Sequence, residues 1–116
     1  MDSIAKDSVA IILVNWNGIQ FSIACLHSLR KLDFPDFEIF LVDNASDNQE
    51  GEELKAGFPE ITLIQSSTNA GFAGGNNLGI RKALESGFSH LMLLNNDTVV
   101  APDFLLVMMA QFEKSP

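Results

Sequence analysis

The chain has 116 residues, 47% of them hydrophobic and 19% charged, and a formal net charge of −8. That length can build one domain with a real core, and the composition is globular rather than disordered. Acidic residues outnumber basic ones 15 to 7 with no basic block, which argues against a nucleic-acid or anionic-membrane surface and means that any phosphate ligand needs a cation or aimed backbone N–H groups.

The amino-terminal Met1-Asp-Ser-Ile-Ala-Lys-Asp-Ser8 lacks the basic-then-apolar order of a signal peptide. No apolar run is long enough to span a bilayer, so a soluble, cytoplasmic chain is expected. Val9–Val14 is a short, fully apolar, β-branched run of the kind buried on both faces of a parallel sheet. It stops at the turn cluster Asn15-Trp16-Asn17-Gly18. From Ile19 the period becomes helical, with Ile19, Ile23, Leu26 and Arg30 on one face, Cys25, Leu29 and Leu32 beside it, and Arg30-Lys31 near the negative end. Cys25 is the only cysteine, which excludes an intrachain disulfide and a cysteine-rich zinc site; within this apolar pattern it reads as a buried thiol.

Phe37–Val42 is the second strand, followed by Asp43-Asn44-Ala45-Ser46-Asp47-Asn48. Ser46 or Asp47 is expected to cap a short acidic helix through Glu50, Glu52, Glu53 and Leu54, stopped by Gly57 and Pro59. Ile61–Gln65 is the third strand. The glycine-rich segment Asn69-Ala-Gly71-Phe-Ala-Gly74-Gly75-Asn76-Asn77-Leu-Gly79 leads to a helix with Leu78, Ile80, Ala83 and Leu84 apolar and Arg81, Lys82 and Glu85 exposed, a tight turn with a helix cap at Asn76 or Asn77 being the alternative. His90–Leu94 is the fourth strand. Pro102-Asp103 opens a last helix with Phe104, Val107, Met108 and Phe112 at helical spacing. The alternation β-α-β-α-β-α-β-α with short connections predicts one three-layer α/β/α, Rossmann-like unit over residues 1–116 with a mostly parallel sheet.

In such a sheet the loops after successive strands emerge on one edge, where open α/β folds bind ligands if strand order reverses. Those loops carry Asn15, Trp16 and Asn17, then Asp43 and Asn44, then Gly71 with Asn76 and Asn77, then Asn95, Asn96 and Asp97. Asp97 offers a hard oxygen to Mg²⁺ or Mn²⁺, and a bound diphosphate would complete the shell that one carboxylate cannot. Asn95 and Asn96 suit a ribose or a phosphate. Asp43 can accept from a base or ribose hydroxyl, or else cap its turn. Trp16 either stacks on a base or packs. Glycines at 71, 74 and 75 let backbone approach a ligand near a helix N-terminus, or simply form a tight turn. His27 and His90 have no sequence partner that suggests catalysis.

Three rival nucleotide folds fail on position. A dinucleotide-binding unit needs its glycine-rich turn after the first strand, where only Gly18 stands, and no Gly-Lys-Ser/Thr phosphate loop occurs. A phospho-receiver needs an acidic pair after the first strand and an Asp ending the third, where Asn15 and Gln65 stand.

Taken together, Val14-Asn15-Trp16-Asn17-Gly18, Leu41-Val42-Asp43-Asn44-Ala45-Ser46, Asn69-Ala-Gly71-Phe-Ala-Gly-Gly-Asn76-Asn77-Leu-Gly79-Ile and Leu94-Asn95-Asn96-Asp97-Thr98 resemble family 2 glycosyltransferases of the GT-A fold. Asn-Asn-Asp is most similar to the bacterial rhamnosyltransferase-type branch. The resemblance implies the nucleotide-sugar-binding half of an inverting enzyme that takes a UDP- or dTDP-linked donor and a glycan or lipid-linked acceptor. It implies that Asp43 contacts the base and that Asn95-Asn96-Asp97 stands for the Asp-any-Asp motif, with Asp97 on the metal. Asn76-Asn77 falls where the family commonly has Arg-Asn, and Asn95 where an Asp is frequent. The family's second half carries the acceptor contacts and the general base; nothing after Phe112 supplies one, so a fragment with little transfer activity, and self-association through an exposed apolar face, are expected. A non-catalytic nucleotide- or protein-binding module of the same fold is the alternative.

Overall fold

The computed structural model describes residues 8–114; residues 1–7 and 115–116, on which the targeting and chain-end readings partly rest, lie outside the described residues. The strands are β1 (Val9–Asn15), β2 (Phe37–Asn44), β3 (Thr62–Ser66) and β4 (His90–Leu93). The helices are α1 (Ile19–Arg30), α2 (Glu50–Gly57, preceded by a 3-10 turn at Asp47–Gln49), α3 (Gly71–Glu85) and α4 (Phe104–Lys114). All strand pairs are parallel, in the order β3-β2-β1-β4.

This order decides which face each helix covers. From β1 to β2 to β3 the chain steps one way, and right-handed crossovers place α1 and α2 on one face. The step from β3 back to β4 runs the other way, so the same handedness places α3 on the opposite face. The core divides accordingly. Val9, Ile11 and Leu13 pack with Cys25, Leu26 and Leu29 of α1, Leu54 of α2 and Leu105 and Met109 of α4. Ala10, Ile12 and Phe40 pack with Ala83 and Ile80 of α3. The fully buried run of β1 thus feeds both layers by strict alternation. Gly79 lets α3 lie close on the sheet, because a Cβ there would stand 2.5 Å from Ile12 Cγ2.

Several sequence expectations change. Asp43 and Asn44 belong to β2, since the ladder continues through Asn15↔Asp43 and Asn44↔Ser66. Neither Ser46 nor Asp47 caps α2: the residue before it is Gln49, in left-handed conformation, and no cap side-chain bond forms. The glycine-rich segment is the first turns of α3, not a loop, and Asn76 and Asn77 lie within the helix. In α3 Leu84 is exposed, and in α4 Leu105 and Met109 are buried while Val107, Met108 and Phe112 are exposed. Among the described residues no helix is long and apolar enough to cross a membrane.

Candidate functional site

Because strand order reverses at β1, the β1–α1 and β3–α3 connections diverge to opposite faces and leave a crevice at the carboxyl edge of the sheet. A cleft of about 430 Å³ occupies it. One wall is Trp16, Asn17, Gly18 and Phe21 from the start of α1; the other is Asn69, Gly71 and Phe72 at the start of α3, with Asn44 between; Asn96 and Asp97 close the end. Trp16, Phe21 and Phe72 are 55%, 62% and 60% exposed, an apolar rim suited to a flat ring.

Beneath the cleft lies a polar floor. Asp43, only 1% exposed, accepts from Asn15 Nδ2 at 2.9 Å, Ser46 Oγ at 2.7 Å, the Ser46 amide at 3.0 Å and Gln65 Nε2 at 3.0 Å. Burial pushes its pKa up, but the bonds from Asn15, Gln65 and Ser46 outweigh burial and hold it below the usual carboxylate value. Asn15 is fully buried and also donates to Glu50 Oε1 at 3.0 Å, while its Oδ1 receives the Ser22 hydroxyl at 2.7 Å. Asn17 ties two loops together: its amide donates to Ser46 Oγ at 2.9 Å and its Oδ1 accepts from the Asp47 amide at 2.8 Å. Asn44 fixes the start of α3, donating to Gly71 O at 2.8 Å and accepting from the Ala70 amide at 3.1 Å. Gly71 stands at φ 78°, a left-handed value that suits glycine.

Of the residues singled out in the sequence, Trp16, Asn17, Asn44, Gly71, Asn96 and Asp97 line the cleft. Asn15 and Asp43 do not line it; they are buried beneath it and connect to its Asn17 and Asn96 through hydrogen bonds of Ser46 and Ser22. Asn95, Asn76 and Asn77 do not line it: Asn95 and Asn77 are exposed, and Asn76 is buried within α3. Sequence reasoning missed Ser22, Ser46 and Gln65 in the floor and Phe21 and Phe72 on the rim. Phe21 left a signal, since it falls off the apolar stripe of α1. His27 packs edge-on against Phe58 and His90 against Phe112, both away from the cleft.

Asp97 is exposed and forms no ion pair among the described residues. Asn96 Nδ2 donates to Ser22 Oγ at 3.0 Å. Among the described residues no group of three or more His, Cys, Asp or Glu side chains gathers. The site therefore fits a cation only in part: an unpaired carboxylate and a neighbouring amide oxygen are hard donors, and most of a shell must come from a ligand.

The family model for glycosyl transferase family 2 matches residues 10–116. Over 112 residues the chain is 29% identical to poly-beta-1,6-N-acetyl-D-glucosamine synthase of Staphylococcus epidermidis, a match covering 85% of this chain and 26% of that protein. Over 75 residues it is 37% identical to an uncharacterized protein of Mycobacterium tuberculosis, covering 62% of this chain and 25% of that one. The chain thus spans about a quarter of the length of these curated relatives. Among solved structures, S. aureus TarS 1-349 in complex with UDP superposes with a TM-score of 0.80 at 21% identity, over 92% of this chain and 32% of that one. The mannosyltransferase PcManGT from Pyrobaculum calidifontis, in complex with GDP-Man and Mn²⁺, gives 0.72 at 22% identity, over 84% and 30%. These likenesses show a GT-A, Rossmann-like α/β fold, and with the family match over nearly its whole length the chain belongs to glycosyl transferase family 2.

Proposed function

We propose that this chain forms the nucleotide-sugar-binding part, a single unit over residues 1–116, of an inverting, cytoplasmic glycosyltransferase. The donor is a nucleoside-diphosphate sugar, UDP- or dTDP-linked, and the acceptor a hydroxyl of a glycan or lipid-linked glycan. The observation that carries this reading is an exposed carboxylate, Asp97, with no ion pair among the described residues, at the end of a cleft rimmed by three exposed aromatics. Trp16, Phe21 and Phe72 offer faces for the base, while the N-terminus of α3, which borders the cleft at Gly71 and Phe72, favours the diphosphate. Asp97 would hold Mg²⁺ or Mn²⁺, with the ligand's diphosphate supplying the rest of the shell. When bound, that cation offsets the charge that builds on the leaving diphosphate. Asp43 acts from below, since its oxygens already accept four donors, and it sets the loops that touch the ligand. Asn76, Asn77 and Asn95, outside the cleft lining, reach a donor only if the ligand extends past it. The rhamnosyltransferase-like assignment rests on the Asn-Asn-Asp sequence alone.

In the complete reaction an acceptor oxygen attacks the anomeric carbon as the bond to the diphosphate breaks, and a base takes the acceptor proton. Asp97 is the only titratable side chain lining the cleft among the described residues, so that base is assigned to no residue of this chain. Binding without appreciable transfer is the expected behaviour of the chain alone.

Calorimetric titration of UDP and dTDP, with and without Mn²⁺, tests the reading on wild type and Asp97→Asn. Mn²⁺ should tighten wild-type binding, and Asp97→Asn should remove that increment, about tenfold or ~1.4 kcal/mol. Binding indifferent to both the metal and the substitution rules out Asp97 as the metal residue.

A further inference from the structure

The floor of the cleft has a direction. Asn15 places Nδ2 2.9 Å from Asp43 Oδ1 and 3.0 Å from Glu50 Oε1, and places Oδ1 2.7 Å from Ser22 Oγ. Carboxylates only accept, so the amide NH₂ of Asn15 must face them, and its oxygen is left for Ser22. The single hydroxyl hydrogen of Ser22 is thereby committed to Asn15. Ser22 Oγ meets its next partner, Asn96 at 3.0 Å, with lone pairs only, so Asn96 must present Nδ2. Reversing any one amide would set two oxygens or two hydrogens face to face at 3 Å or less along this chain. The Asn96 carbonyl oxygen is then turned away from the floor. It has no hydrogen-bond partner among the described residues, and Asn96 lines the cleft next to Asp97.

We propose that Ser22 is a positioning residue: through Asn15 and Asn96 it passes the acceptor character of Asp43 to the cleft, fixing Asn96 Oδ1 as an acceptor for an electropositive group of the bound ligand. That group is a ribose hydroxyl hydrogen or the divalent cation itself. An anionic phosphate oxygen is repelled at the same spot. Ser22 is fully buried and does not line the cleft, so its effect is exerted entirely through the orientation of Asn96. The ligand part of this inference rests on the nucleotide-sugar reading of the cleft; the orientation part does not.

Two measurements on the full chain separate them. In ¹⁵N-labelled wild type the Asn96 side-chain amide should be protected from solvent exchange, and Ser22→Ala should cut that protection about tenfold while leaving the Asn44 side-chain amide, bonded to Gly71 O, unchanged. In UDP titrations Ser22→Ala and Asn96→Ala should each weaken binding about three- to tenfold, and the double variant no further than either alone. Asn96→Ala keeps the buried Ser22–Asn15 bond, so it reports even where Ser22→Ala folds poorly. A loss seen with and without Mn²⁺ assigns the ribose hydroxyl; a loss seen only with Mn²⁺ assigns the cation. Unchanged Asn96 exchange in Ser22→Ala, wild-type affinity in Asn96→Ala, or multiplying penalties in the double variant would overturn the proposal. A wild type that binds neither UDP nor dTDP removes the nucleotide reading and its acceptor role, while the exchange result still decides the orientation.

Discussion

Every neighbour of the Asp43 carboxylate is a donor: an amide NH₂ on one side, Gln65 on another, and both the hydroxyl and the backbone amide of Ser46. Asp43→Asn therefore turns a donor toward donors in a site 1% exposed, and should cost about 2–4 kcal/mol by urea denaturation at pH 7. The pH dependence has a definite sign. The folded pKa is held below the unfolded value of about 3.9, so the stabilisation is full above pH ~4 and fades as pH falls through the folded value. The gap between wild type and Asp43→Asn should narrow on titration from pH 5 toward about pH 2; a gap independent of pH would mean that the charge contributes nothing. Cys25 gives the opposite case. Burial first, and then the charge of Asp97, push its thiol up to about 11. At pH 8 it should label with thiol reagents at least about a hundredfold more slowly than in urea, and fast labelling of the folded chain would contradict its burial.

At the scale of elements, α3 is the piece whose sequence and structure pull apart. Helix propensity alone favours replacing its glycines, and Gly79→Ala gains about 1 kcal/mol on that count. Its Cβ would, however, press on Ile12 Cγ2 at 2.5 Å, and overpacking of a rigid strand side chain costs about 1–3 kcal/mol. Gly79→Ala should therefore lower stability or at best leave it flat; a clear gain would show that α3 does not lie as close to β1 as the structure has it. The same contest explains what the sequence concealed. Glycines at 71, 74 and 75 read as loop by propensity, yet they open α3: Gly71 starts it at a left-handed φ of 78°, and Gly75 lies where a Cβ would stand 2.9 Å from Val14 Cγ1 of β1. β1 was legible because its short, apolar, β-branched run suits a strand buried on both faces of a parallel sheet. The polar ends of β2 were not, since Asp43 and Asn44 continue the ladder only through partners in β1 and β3. In α4 the residues Phe104 to Met109 are all apolar, so spacing could not choose the stripe, and packing into the core cluster on the α1 face of the sheet selected Leu105 and Met109. The site divides likewise. Asp97, Asn96 and Trp16 stood out as polar or aromatic residues at a strand end, whereas Ser22 looks like any helical serine until Asn15 and Asn96 are brought to it.

For the whole molecule, β4 is an edge strand among the described residues, and its free side is bordered by apolar residues on both faces. Leu91 and Leu93, 37% and 51% exposed, share the α3 face, while Met108 and Phe112 of α4, 45% and 62% exposed, flank a groove of about 340 Å³ along the other. An unpaired, apolar edge is a template for a second strand, and two copies related by a twofold axis would pair β4 with β4 in antiparallel register. The net charge of −8 opposes that contact, but at 0.1 M salt its reach is only about 10 Å. The chain should therefore dimerise at micromolar to millimolar concentration, more strongly as salt rises, as read by sedimentation equilibrium. Leu93→Lys distinguishes the cause. If net charge governed association, this substitution, which removes one unit of negative charge, would strengthen it. If the β4 edge governs it, a lysine on that edge weakens pairing despite the lower net charge. A chain that stays monomeric at every salt and concentration would mean that the β4 edge is not sticky toward a second copy, and would leave its exposed leucines without this role.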